Sequence, residues 1–236
     1  MPQLCLLCGI SCGNLSQRSL QRSICAECDA AYWNEPRLRC VSCALPLGNA
    51  QRRDEDRYRC GNCAGAPPPF DATLALGDYR APLERLAVGL KFRARLAIAR
   101  EFALRLARVA DDSLERKNWP DVVTPVPLAR KRLIERGFNQ AWEIAKPLAR
   151  ALDVPANPTL LQRVACTAPQ SRLDLDARRR NVAAAFRVEK PVRGLHIALV
   201  DDVMTSGATL EAAAHALKAA GARRVTNFVA LRTPKD

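Results

Sequence analysis

No long apolar run is present in this sequence. Its uncharged stretches fall short of the ~18 residues that a membrane-crossing helix needs. The opening "MPQLCLLCGISC" has no basic residue to begin an export signal. A cytoplasmic protein with no integral membrane segment is therefore expected. Aromatic residues are scarce, at 5%, so no base-stacking set is evident. Before residue 64 the large aromatics are Tyr32, Trp33 and Tyr58, and these can equally be a small core. No general base stands out either: His196 precedes an apolar run and His215 falls inside a helical stretch, so both read as structural or exposed. Negative charge is also in deficit, with 37 Lys and Arg against 24 Asp and Glu and a formal net charge of +13. Residues 121–236 hold 19 basic and 11 acidic side chains, against 8 and 6 over residues 1–70. This excess favours anionic partners (phosphorylated metabolites, nucleic acid or an acidic membrane face) without choosing among them. A solvated face is the plain alternative for any single Arg cluster.

What is present divides in two. With 236 residues, 48% of them apolar, the chain can bury one full core and carry a smaller appended module. Nine of its ten cysteines fall before residue 64, and eight form Cys-x-x-Cys pairs: Cys5 and Cys8, Cys25 and Cys28, Cys40 and Cys43, Cys60 and Cys63. Sixteen residues separate the first two pairs, and sixteen again the last two, so a zinc-site spacing is repeated. A two-residue spacer lets one tight turn aim two thiolates at a single tetrahedral ion. Two tandem ribbons, each with one structural Zn²⁺, are expected. A crossed arrangement, with the first and third pairs sharing an ion, is also compatible with the spacing. Disulfides or a redox pair are disfavoured in a reducing compartment. Cys12 and Cys166 lack partners at metal-site spacing and read as small buried hydrophobes. The segments between the pairs are poor in large apolar residues, so metal should supply the folding energy. "GAPPPFD" (65–71) reads as a stiff linker, giving a module over 1–66 and a domain over 67–236.

From residue 71 the pattern alternates between strand and helix. Strands are expected at 72–79, 121–127, 160–165, 196–201 and 225–231. Helices are expected at 82–92, 95–110, 138–151 and 208–220. This implies an α/β fold with a mostly parallel sheet covered on both faces, whose ligands sit beyond the carboxyl ends of the strands. There "IALVDDVMTSGAT" (197–209) falls. A helix starting near Ala208 points free N–H groups and a positive dipole end at the loop, which suits a phosphate. Gly207 lets the backbone close in, and Thr205, Ser206 and Thr209 add hydroxyls. Asp201 and Asp202 would repel a phosphate and should face ribose hydroxyls or a metal ion. The plain alternative is an ordinary strand-to-helix turn capped by Asp202.

Ile197 to Thr209 resembles the phosphoribosyl pyrophosphate (PRPP) signature of type I phosphoribosyltransferases. "DVVTPVPLARKRLIERGFNQA", "GLKF", "APQSRLDLDARRRNVAAAF" and the paired zinc motifs are similar to the ComF family, proteins associated with bacterial competence and DNA uptake. The resemblance covers essentially the whole chain. It implies that Asp201 and Asp202 contact the ribose hydroxyls of PRPP and, through them, Mg²⁺. The segment Val203, Met204, Thr205, Ser206, Gly207, Ala208 and Thr209 would hold the 5′-phosphate. Leu128, Ala129, Arg130, Lys131 and Arg132 stand where a pyrophosphate loop belongs. "QSRLDLDARRRN" (170–181) would be a mobile loop with Arg172 and Arg178 as anion contacts, or else a solvated helix. Arg136, Asn139 and Gln140 belong to a family motif whose role the sequence does not disclose. Lys91 and Arg93 belong to another, or simply favour a helix end. Any hood for the acceptor must come from residues before about 120, with the zinc module as leading candidate. The implied activity is pentosyl transfer or hydrolysis with pyrophosphate release. The alternatives are a protein handling single-stranded DNA, working with DNA-uptake proteins, and a PRPP-sensing adaptor. Acceptor and oligomeric state leave no mark in the sequence.

Overall fold

Four segments rich in Val, Ile, Leu and Ala lie side by side in the centre of the computed structural model, which describes residues 4–12, 23–33, 37–51, 58–164 and 185–235. They are β3 (Ala72–Asp78), β4 (Val122–Pro125), β7 (His196–Met204) and β8 (Arg224–Arg232). The order is β3-β8-β7-β4, and every pairing is parallel. Continuous apolar runs suit this position, because a parallel sheet is covered on both faces. Side chains alternate between the two coverings. Ala198, Val200, Phe228 and Ala230 face a layer made by α3 (Glu84–Arg93), α4 (Leu96–Ser113) and α6 (Gln140–Leu152). Ile197, Leu199, Val225 and Val229 face α7 (Ala208–Ala219). The expected α/β class is thus observed.

Several expected elements differ. The strand near 160–165 shortens to β5 (Leu161–Arg163) and stays out of the parallel sheet, pairing antiparallel with β6 (Phe186–Val188). A helix not expected from periodicity, α5 (Arg130–Arg136), forms after β4 and ends at Gly137 with φ 75°. None of its residues is buried, so no apolar stripe announced it. The strand expected at 196–201 runs on to Met204, with Val203 and Met204 paired to Leu231 and Arg232 of β8. The two acids therefore lie inside the strand's last turn of pairing. Among the described residues no helix is long and apolar enough to cross a membrane.

The cysteine-bearing residues form α1 (Ala26–Tyr32), the antiparallel pair β1 (Arg37–Arg39) and β2 (Pro46–Gln51), and α2 (Gly61–Gly65). They share the main domain's core. Ile24, Cys5, Cys25 and Cys28 join the layer of α3 and α4, whereas Cys40, Cys43 and Cys63 join the layer of α7. Trp33 stands edge-on to Phe102, with ring centroids 6.2 Å apart; Tyr32 and Tyr58 are exposed, so the aromatic core expected of the three reduces to Trp33. The proline-rich stretch docks as well: Phe70 is buried in the second layer, and Asp71 Oδ2 accepts from the Val225 N–H at 2.8 Å.

Candidate functional site

Strands β4 and β7 are neighbours whose connections leave toward opposite faces. β4 leads through α5 to α6 on one side, and β7 leads to α7 on the other. Such a divergence opens a crevice at the carboxyl ends of the strands, the usual ligand position in these sheets. On the β4 side, Leu128 and Ala129 are loop residues, while Arg130, Lys131 and Arg132 form the exposed first turn of α5. The expected pyrophosphate loop is thus part loop, part helix. Asn139 braces it: its Nδ2 donates to Val126 O at 3.0 Å, and its Oδ1 accepts from the Ala141 N–H at 3.0 Å, capping α6.

On the β7 side stand the two acids. The Asp202 N–H donates to Asp201 Oδ1 at 2.9 Å. Asp202 is buried, and its Oδ2 has no hydrogen bond. Lys91 Nζ, from α3, lies 3.0 Å from that oxygen and forms an ion pair with it. Burial and then the neighbouring Asp202 charge push the Asp201 carboxyl up to about 8. Adjacent carboxylates paired with one ammonium at a strand end are a donor and acceptor set that suits sugar hydroxyls or a hydrated cation. The strand's alternation breaks across the pair, since Val203 packs with the α3–α4 layer and Met204 with the α7 layer.

The chain then enters the expected cradle. Thr205, Ser206 and Thr209 are exposed, and α7 begins at Ala208 as expected. Gly207 has φ 92°, and a Cβ there would sit 2.7 Å from Met204 Cε. The left-handed backbone favours glycine, and a larger residue would also have to displace the end of the Met204 side chain. Ser206 Oγ accepts from the Ala208 N–H at 3.4 Å, leaving the other first-turn amides directed at the loop.

The eight paired cysteines gather in two groups, Cys5, Cys8, Cys25 and Cys28, and Cys40, Cys43, Cys60 and Cys63, with the sulfurs of each group within 4.8 Å of one another. The tandem grouping holds, and the crossed one does not. Cys8 to Cys25 and Cys43 to Cys60 are each 3.7 Å between sulfurs, which fits the ~3.8 Å edge of a tetrahedron built on ~2.3 Å Zn–S bonds. Burial raises the Cys5 thiol, but the N–H groups of Cys8, Cys25 and Leu7 outweigh it and bring the group down to about 6. Burial and neighbouring thiols drive Cys28 and Cys63 upward. Four converging sulfurs at these spacings are a donor set suited to a soft divalent cation. Each group can hold one zinc ion. Cys12 is half-buried against the first group's layer; Cys166 lies outside the described residues.

Residues 139–236 match the phosphoribosyl transferase domain family. Over an alignment of 237 positions the chain is 35% identical to DNA utilization protein YhgH of Salmonella typhi, covering 99% of this chain and 98% of that one. It is 34% identical to Competence protein F of Haemophilus influenzae (strain ATCC 51907 / DSM 11121 / KW20 / Rd), across 67% and 71% of the two chains. The chain belongs to the ComF family. Among solved structures, a purine phosphoribosyltransferase from Pyrococcus horikoshii Ot3 overlays 58% of this chain and 84% of its own with a TM-score of 0.36 and 18% identity, too loose a likeness to add weight.

The ComF motif residues acquire partners in the fold. Arg136 lies over the Phe92 ring at 5.4 Å, joining the "GLKF" and "RGFNQ" motifs. Gln140 is buried and its Oε1 has no hydrogen bond. Lys91 reaches the acids, so the helix-end role considered for it is too small; Arg93 stays in the last turn of α3. Arg172 and Arg178 lie outside the described residues. His196 is buried and His215 is exposed. Sequence reasoning missed Arg232, which closes β8. A lone arginine at the end of "VTNFVALR" was the available signal, because strand continuity buries it.

Proposed function

We propose that this ComF-family chain binds PRPP with Mg²⁺ in the crevice between β4 and β7 and supports displacement of pyrophosphate from the anomeric carbon. Asp201 and Asp202 take the ribose hydroxyls, the segment 203–209 takes the 5′-phosphate, and Leu128, Ala129, Arg130, Lys131 and Arg132 flank the pyrophosphate. The supporting observation is the end of β7, where the twin acids, paired with Lys91, stand beside an amide-lined loop closed by Gly207. Bound Mg²⁺ would neutralise charge on the departing pyrophosphate. The anomeric C–O bond breaks with its electron pair leaving on pyrophosphate. An oxygen or nitrogen nucleophile forms the new bond from the opposite face and releases its proton to solvent. Cationic side chains near the leaving group stabilise this charge movement. The test is calorimetric titration of PRPP with and without Mg²⁺, paired with pyrophosphate release. Asp202→Asn should lower affinity at least about tenfold, the loss expected when a charged acceptor of a buried hydrogen bond is neutralised, with the melting temperature little changed. No heat with PRPP under either condition overturns the reading.

A second reading concerns DNA. The relatives' names, DNA utilization protein and Competence protein F, and an α5 that exposes Arg130, Lys131 and Arg132 favour a role in DNA uptake with single-stranded DNA as partner. Binding of a single-stranded oligonucleotide should weaken steeply with salt. Neutralising those three cations should reduce the log–log slope by roughly 2, at ~0.7 for each phosphate that a cation no longer neutralises. An unchanged slope would count against this surface.

A further inference from the structure

Arg232 is 2% exposed, and among the described residues no carboxylate lies at ion-pair distance from it. Its guanidinium is spent on four backbone carbonyls. Nε donates to Cys43 O at 2.9 Å, and Nη1 donates to Met204 O at 3.0 Å, to Thr233 O at 2.7 Å and to Thr205 O. Two of these carbonyls open the anion loop, and one belongs to the turn of the second cysteine group. That turn is fastened to the sheet's ligand edge from other sides too: Arg39 Nη1 donates to Ala44 O at 3.1 Å and pairs with Asp78 Oδ1 at 2.9 Å, and the Thr73 N–H donates to Val41 O at 3.2 Å.

Carbonyl dipoles solvate a guanidinium but do not neutralise it, and an uncompensated buried charge is strongly unfavourable. The candidate counter-charge is next door. Four thiolates around one divalent ion carry a net charge of −2, and Cys43, whose carbonyl Arg232 grips, is one of the four. Among the described residues the first cysteine group has no such connection. It sits in the opposite layer, where the largely buried Arg105 of α4 pairs with Asp29 at 2.5 Å and with Glu101 at 2.7 Å. Within the loop the path continues, because Met204 packs directly beneath Gly207.

We propose that Arg232 is a positioning residue that couples the second cysteine group to the anion loop. Metal in the group formed by Cys40, Cys43, Cys60 and Cys63 holds the guanidinium by charge, and the guanidinium holds the carbonyls of Met204 and Thr205. Occupancy of that site therefore sets the order of the loop and its grip on a phosphate. The ligand part of this statement rests on the PRPP reading; the loop part does not.

The decisive measurement is hydrogen–deuterium exchange of the amides of residues 203–209 on the full chain, with zinc content measured on the same samples. Cys60→Ser should lose zinc from the second group and exchange these amides about tenfold faster, the equivalent of one charge-assisted hydrogen bond. Cys8→Ser should lose zinc from the first group and leave the loop at the wild-type rate. Arg232→Met should keep both ions yet loosen the loop as Cys60→Ser does, and Arg232→Lys should restore part of the protection. Should Cys60→Ser fail to fold, Cys60→His keeps four ligands while reducing the centre from −2 to −1, and an intermediate rate is expected. PRPP and inorganic pyrophosphate affinities should follow the same order. Equal loosening in the Cys8 and Cys60 variants, or a wild-type loop in the latter, overturns the coupling. A wild-type chain that binds no PRPP overturns the proposed function alone, since the exchange contrast needs no ligand.

Discussion

His196 has no exposed surface, and both ring nitrogens are engaged. Nδ1 lies 3.1 Å from Trp119 O and Nε2 lies 2.8 Å from Thr226 Oγ1. A carbonyl can only accept, so the proton sits on Nδ1 and the Thr226 hydroxyl donates to Nε2. Burial, then the Arg224 charge, lower this imidazole from its usual 6.5 to about 4. The unfolded chain then binds the proton more readily than the folded one between those values. Stability from this residue is complete above pH 6.5 and is lost as pH falls toward 4, by an upper bound of about 3 kcal/mol. Asp201, shifted upward, gives the opposite slope: its folded form holds a proton the unfolded chain would release, so it disfavours folding as pH rises from 4 toward 8. The two effects separate by difference. Melting curves of wild type and His196→Gln from pH 7 to 4.5 should converge as pH falls, because the variant lacks the titrating group while both chains keep Asp201. Parallel curves would mean that His196 titrates normally.

The loop between β7 and α7 joins a strand whose alternation has just broken to a helix that starts without a side-chain cap. Gly207 makes that join, and its replacement by Ala should cost about 1–2 kcal/mol for the left-handed backbone alone, with a further push on Met204. Because β7 and α7 are anchored by many buried residues, Gly207→Ala should fold, with a lowered melting temperature and a larger fractional loss of PRPP affinity than of stability. Asn139→Ala, by contrast, should cost about 1 kcal/mol as a lost cap and reach the crevice only through Val126. Comparing calorimetric affinity with melting temperature for the two variants separates a cradle residue from a brace. What was legible in the sequence follows the same line. Twin acids, glycine and helix start are contiguous in the chain, and so are the cysteine pairs, so their geometry is local. The Lys91–Asp202 pair and three of the four carbonyls held by Arg232 join segments far apart in the chain, and no local rule brings them together. Helix α5 was hidden for another reason: with no buried face, it has none of the periodicity by which helices are read. β5 read correctly as a strand, but its antiparallel partner lies more than twenty residues on, beyond what alternation alone can assign.

Across the whole molecule the two cysteine groups hold opposite faces of one sheet, the first against α4 and the second against the α7 layer. Neither has a core of its own, so a metal ion bound there would contribute its binding energy to a layer of the main domain rather than to a separate bead. They should also differ in how readily they open. Cys8 is exposed in the first group, whereas in the second Cys60 is half-buried and Cys40, Cys43 and Cys63 are buried. Metal leaves when a chelator or mercurial reaches a sulfur, so exposure orders the release. The expected content is two zinc ions per chain, one for each cysteine group. Titration with a mercurial, followed by a metallochromic dye, should release them in two phases. The fast phase should coincide with a change in Trp33 emission, because that ring lies between Arg105, 4.6 Å from its centroid, and Phe102 beside the first group. The slow phase should coincide with loss of protection in the anion loop. Cys8→Ser should abolish the fast phase and leave the slow one at its original rate. A single phase, or one ion per chain, would show that the two groups do not act as independent clamps, and the division of labour between the faces would fall with it.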